Sequence, residues 1–144
     1  MGKNRRRQAK TEKQPTQEGK QPRVAESPPS DPYPRWSFQR VDFDGPWCFS
    51  SMTWEQAKET LQKLGQLENM TFAQLRDQGS HPLNGGISTE AKKRLQEIAQ
   101  DDAEERLYSL RVNGKPRVVG IRDRNVIYIL WWDPEHEVCP SEKK

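Results

Sequence analysis

Leu107 to Ser141 read LYSLRVNGKPRVVGIRDRNVIYILWWDPEHEVCPS. Two turn signals cut this run into three extended pieces. Leu107–Val112 is followed by Asn113-Gly114, a pair that tolerates φ > 0 and favours a two-residue type I′ hairpin. A second strand is expected over Arg117–Arg122. Pro116 has no N–H to give a ladder, so it belongs at the strand's first position or at a bulge. Asp123-Arg124-Asn125 makes the next turn, and Val126–Trp132 (VIYILWW) is the third strand. That strand is apolar at every position, which places it centrally with both faces covered. Asp133-Pro134 stops it. The result is a three-stranded antiparallel meander followed by a polar tail.

Working outward, the preceding residues supply helices. Thr53-Trp-Glu-Gln56 and Thr71-Phe-Ala-Gln74 both fit a capping box, in which Thr accepts from the third helical N–H and Gln reaches back. In the first helix Trp54, Ala57, Leu61 and Leu64 form one apolar stripe at helical spacing, and Gly65 weakens or ends it. Met70 and Leu75 are placed to staple the second helix. Ser88 caps a third helix, Thr89 to about Gln100. Its buried face is Ala91, Leu95 and Ile98, and Lys92, Lys93, Arg94 and Gln96 line its outer face. Asp101 to Glu105 form an acidic connection into the meander. Upstream, Arg35–Phe43 reads as a half-buried strand, with Trp36, Phe38 and Arg40 on one face. The expected class is therefore α+β: one N-terminal strand, two to three helices, then the meander.

Composition is uneven along the chain. The 144 residues carry a formal net charge of +3. Met1–Arg23 holds eight basic and two acidic residues, a local net of +6, which leaves −3 for the remainder. All five tryptophans and all four phenylalanines lie after Pro34. Residues 1–34 are thus expected to be a disordered basic, Pro-rich tail, unable to bury enough apolar surface to offset ordering. Residues 35–144 are long enough for one small two-layer domain. A folded part that is mildly acidic overall argues against a binder of nucleic acid over its whole surface.

The longest apolar run is VIYILWW, too short to span a bilayer. The N-terminus lacks the apolar segment of a secretory signal. Cytoplasmic location and reduced thiols at Cys48 and Cys139 are the expectation. The sequence shows no phosphate-binding glycine loop, zinc pattern or nucleophile elbow, and no cofactor or metal is expected.

The candidate chemistry lies around the meander. Arg111, Lys115, Arg117, Arg122 and Arg124 punctuate it, and His136 follows its last strand. They read either as solvated strand ends or as a basic face toward phosphate with His136 placed for proton transfer. His81, the only other histidine, sits in a Ser80–Gly86 loop. It is either a packing or exposed loop residue, or it is folded over the sheet onto the face of His136. Strand parity separates Arg117, in step with Val119 and Ile121, from Arg122, in step with Val118 and Gly120.

The order strand, helices, three-stranded meander, together with the terminal WWDPEHEVCPSEKK of Trp131–Lys144, resembles the RelE/ParE toxin superfamily, and within it a ParE-like branch. The resemblance covers Trp36 to Lys144. It implies a toxin-like component of a bacterial type II toxin–antitoxin system with a cognate antitoxin protein as partner. For RelE-like members it implies messenger RNA cleavage at the ribosome, a metal-independent endoribonuclease chemistry. The matching catalytic positions are Arg117 and His136, with Arg111, Lys115, Arg122 and Arg124 as RNA-binding cations. Cys139 stands where many active members carry tyrosine. For ParE-like members it implies a non-catalytic module that inhibits a protein target, DNA gyrase. A non-toxic relative of the fold is the third alternative.

Overall fold

The computed structural model describes residues 31–140; the expected disordered tail therefore lies, up to Ser30, outside the described residues. Pro32 is held by a backbone hydrogen bond. Its carbonyl accepts the Phe72 N–H, and the Tyr33 carbonyl accepts Asn125 Nδ2. The protein is mixed α and β. In chain order it has β1 (Arg35–Ser37), a 3₁₀ turn (Phe49–Ser51), α1 (Trp54–Leu67), α2 (Phe72–Asp77), β2 (His81–Pro82), α3 (Thr89–Glu97), a second 3₁₀ helix (Asp101–Arg106), β3 (Leu107–Arg111), β4 (Arg117–Asp123) and β5 (Val126–Asp133). The five strands form one sheet in the order β1-β5-β4-β3-β2. β1 runs parallel to β5, and every other pair is antiparallel.

Both capping boxes form: Thr53 and Thr71 accept from the Gln56 and Gln74 N–H groups, and each glutamine side chain accepts from its cap's N–H. Gly65 does not end α1, which continues to Leu67. α3 is shorter than the apolar spacing suggests, because Ala99 adopts φ 57° and breaks the helical path. The acidic connection is a 3₁₀ helix that buries Ala103. The first hairpin differs from the type I′ expectation. Val112 N–H donates to the Pro116 carbonyl, leaving a three-residue loop, Asn113–Lys115, with Gly114 at φ 67°. In this pair Pro116, which has no N–H, serves only as an acceptor.

The sheet is covered on both faces. One core holds Val119, Ile121, Leu107, Leu130 and Trp131 with Ala91 and Leu95 of α3, Trp47 and Val138. The other holds Val118, Tyr108, Leu110, Ile127, Ile129 and Trp132 with Leu64 and Leu67 of α1 and Leu75 of α2. The expected two-layer domain is thus a sheet between two helical layers. The run of seven apolar residues in β5 follows from this.

A bulge sets the faces of β5. Val119 pairs with Trp131 but Gly120 pairs with Ile129, so Leu130 is an extra residue. Tyr128 and Leu130 point to the α3 side, and Trp131 points there too. Without the bulge, alternation would send Trp131 to the α1 side. Gly120 permits the close approach; a Cβ there would lie 2.5 Å from Ile127 Cγ2 and 2.8 Å from the Tyr128 carbonyl oxygen.

β1 is only three residues long, shorter than the pattern over Arg35–Phe43. After Ser37 the chain leaves the ladder, and a buried carboxylate holds it near β5. Asp42 accepts from Arg94 Nε at 2.8 Å, Arg94 Nη2 at 2.7 Å and Trp131 Nε1 at 2.8 Å, and its own N–H donates to the Leu130 carbonyl at the bulge. Arg94 therefore turns back to the core rather than lining the outer face of α3. The guanidinium holds the Asp42 carboxyl below its ordinary 3.8, with burial opposing and the Trp131 N–H assisting. Trp47 stacks at a tilt on Trp131, centroids 4.9 Å apart.

Removing the carboxylate strands a guanidinium and an indole N–H. Asp42→Ala is expected to lower unfolding free energy by about 3 kcal/mol at pH 7, measured by urea denaturation. Because the folded-state value lies below 3.8, this contribution is present above that pH. It is lost as pH falls through the folded value, so the mutant's deficit should shrink in acid.

Candidate functional site

The cleft lies on the α3 side of the sheet, at the end where β3 meets β4. Register brings two cross-strand rows onto this face. His81 pairs with Ser109, Ser109 with Val119, and Val119 with Trp131. One row on, Arg111 pairs with Arg117 and Arg117 with Asp133. Directly opposed residues share a face, so His81, Ser109, Arg117 and Asp133 converge. The tail folds back and adds His136, Val138 and Cys139. The space they enclose is about 10 Å³, room for about one water.

The Ser80–Gly86 segment is thus not only a loop. His81-Pro82 is an edge strand, extended by Leu83 N–H donating to the Leu107 carbonyl. Ser80 fixes its start: the buried hydroxyl accepts the Arg111 N–H at 2.9 Å and contacts Gln78 Nε2. A two-residue strand containing proline has no legible period, and for that reason the sequence left the side of His81 open.

The tail hangs on Asp133, which is only 2% exposed. Its two oxygens accept the Glu137 and Val138 N–H groups, both at 2.8 Å. Burial pushes its carboxyl above the ordinary value, against the pull of those two N–H groups and of the His136 charge. The bulge gives Asp133 this face, by the same one-residue offset that turns Trp131. His136 itself adopts φ 62°. Three further contacts hold the tail: Trp47 Nε1 donates to Glu137 Oε1 at 3.2 Å, Ser88 N–H to the Val138 carbonyl at 2.8 Å, and Lys115 Nζ to Glu135 Oε1 at 2.9 Å.

The sequence-predicted cations are divided by the fold. Arg117 is half-buried in the cleft wall, and its Nη1 donates to the Gly114, Lys115 and Pro116 carbonyls, closing the hairpin. Arg111 lies in the next row and packs against Gly79. Lys115 is spent on Glu135 at an exposed site. Arg122 faces the opposite side, its guanidinium 3.7 Å from the centre of the Phe72 ring with Nε donating to the Arg124 carbonyl. Arg124 occupies the far turn at φ 59°. Six residues of strand separate Arg117 from Asp123, about 20 Å, so Arg122 and Arg124 do not join the cleft.

Both faces of the sheet are covered. The unpartnered surface lies elsewhere, on α1. Trp54 and Leu61, expected in the core, are 69% and 59% exposed, and Phe38 and Phe43 are 57% and 72% exposed. Phe38, Phe43 and Leu61 border a groove of about 270 Å³ whose floor includes Leu64 and Ile129. α1 buries Thr60, Leu64 and Leu67 instead. Among the described residues, no three His, Cys, Asp or Glu side chains gather as metal ligands, Cys48 and Cys139 form no disulfide, and no helix is long and apolar enough to cross a membrane.

No protein-family model, no curated protein and no solved structure matches this chain.

Asp133→Ala deprives two backbone amides of their acceptor. It is expected to cost about 1–3 kcal/mol. Hydrogen exchange at the Glu137 and Val138 amides should accelerate well before the sheet amides do.

Proposed function

We propose that this protein is a toxin-like component of a bacterial type II toxin–antitoxin system that cleaves RNA by metal-independent proton transfer in the His136–Arg117 cleft. The supporting observation is the convergence of His136 and Arg117, 19 positions apart in sequence, on one face of one cleft with a buried carboxylate between their elements. The RelE/ParE resemblance expects these same positions, Arg117 at the start of β4 and His136 after the end of β5. In this reading Arg117 neutralises charge on the phosphorane, His136 moves a proton, and Arg111 supports the backbone phosphates. The cleft has room for about one water, so a phosphodiester enters only when the tail lifts. The exposed Lys115–Glu135 pair is the weakest of its tethers. Cognate antitoxin and messenger RNA are the partners this reading names.

A second reading is carried by the α1 groove: a non-catalytic ParE-like module that presses apolar side chains against a protein target such as gyrase. Trp54, Leu61, Phe38 and Phe43 supply the exposed apolar surface that such contacts use.

Induced expression with growth and messenger integrity followed over the first hour separates the two. Arrest with fragmented messenger supports the nuclease, arrest with intact messenger supports the protein target, and unimpaired growth removes both. With purified protein and RNA, His136→Ala is expected to lower the cleavage rate about 10²–10⁴-fold and Arg117→Ala about 10²–10³-fold. Arg122→Ala and Arg124→Ala, on the far side and far end, should cleave as wild type. Leu61→Glu, on the border of the groove, should leave cleavage intact and abolish toxicity only if the groove reading holds.

A further inference from the structure

Two histidines are present in the whole chain, and both line the same cleft. His136 arrives on the tail. His81 arrives from an edge strand more than fifty positions earlier, on a backbone fixed by the buried Ser80 hydroxyl and by pairing with Ser109 and Tyr108. Both rings are half-buried. A packing histidine needs no such neighbours as Arg117 and Asp133.

The hydrogen bonding of His81 defines its chemistry. Nδ1 lies 3.0 Å from the Pro82 carbonyl oxygen. A carbonyl only accepts, so Nδ1 carries the proton and donates it. In the neutral ring Nε2 then holds the lone pair. His136 follows Asp133 by three residues on the tail that this carboxylate holds, and both line the cleft with His81.

Building on the nuclease reading above, we propose that His81 is the general base of the cleft and His136 its general acid, acting on a ribonucleoside phosphodiester. His81 Nε2 takes the proton of the 2′-hydroxyl. The 2′-oxygen forms a bond to phosphorus, the bond from phosphorus to the 5′-oxygen breaks, and the departing oxygen takes the His136 proton. The products are a 2′,3′-cyclic phosphate and a 5′-hydroxyl, and no oxidant, reductant or co-reactant enters. Ser109, directly across from His81, and Arg117, one row on, border the position of the phosphate.

The test uses the full chain and the two imidazole Cε1–H resonances, assigned with His81→Gln and His136→Gln. The probe is uridine 3′-monophosphate. Both resonances are expected to shift with one common, saturable midpoint, and Arg117→Ala should raise that midpoint at least about tenfold. In parallel, RNA cleavage by His81→Gln should fall about 10²–10⁴-fold, and the acidic limb of the pH–rate profile, set by the base, should disappear while amide spectra show an intact fold. If only the His136 resonance moves and His81→Gln cleaves as wild type, His81 is a packing residue and the inference falls while the nuclease reading stands. If neither resonance moves and wild type leaves RNA intact, both fall.

Discussion

The Asp42 carboxylate organises this domain. It is buried, and it is shared by a guanidinium from α3 and an indole N–H from β5. A buried carboxylate is tolerated only with such complete satisfaction. Through it, a segment that has left the sheet after three residues of strand is fastened to both the central strand and the covering helix. The arrangement depends on the bulge, because an unbulged β5 would turn Trp131 to the opposite face. The same offset turns Asp133 toward the cleft, so one extra residue in one strand aligns both the Asp42 anchor and the carboxylate that holds the C-terminal tail.

Covering a sheet on both sides leaves little room for an open basic face. In the nuclease reading proposed above, phosphate recognition falls at a strand end, where Arg117 and the returning tail meet. The divided placement of the cations follows from strand alternation: Arg117 and Arg122 are five residues apart, an odd number, and so they face opposite layers. Arg122 is absorbed by an aromatic ring, a use of arginine that needs no ligand. The cleft that remains is compact, lined by polar and apolar side chains together, and built from four strands' worth of register plus one loop. Opposed to it in character is the α1 groove, apolar and open.

Much of the architecture was legible locally. The capping boxes at Thr53 and Thr71 carry their own hydrogen-bond logic, and they formed as read. The apolar run of β5 announced a strand covered on both sides. Misreadings came where a local pattern met a distant partner. Trp54 and Leu61 keep helical spacing with Leu64, yet the core takes the neighbouring stripe through Thr60, Leu64 and Leu67. Arg94 looked solvated until Asp42, 52 positions away, claimed it. Asn113-Gly114 turns the chain as read, but Val112 pairs with Pro116, so the loop is one residue longer than the dipeptide signal implied.

The sequence by itself determined the helix starts, the strand runs after Leu107 and the residue types available for chemistry, since caps, periods and missing donors act over a few residues. Only the tertiary structure decided which face each side chain took. The bulge in β5 and the two-residue strand at His81 are properties of pairing, not of composition, and no local pattern encodes them. They place His81, Arg117, Asp133 and His136 around one cleft because register, once fixed by buried neighbours on both faces, leaves each side chain a single direction to point.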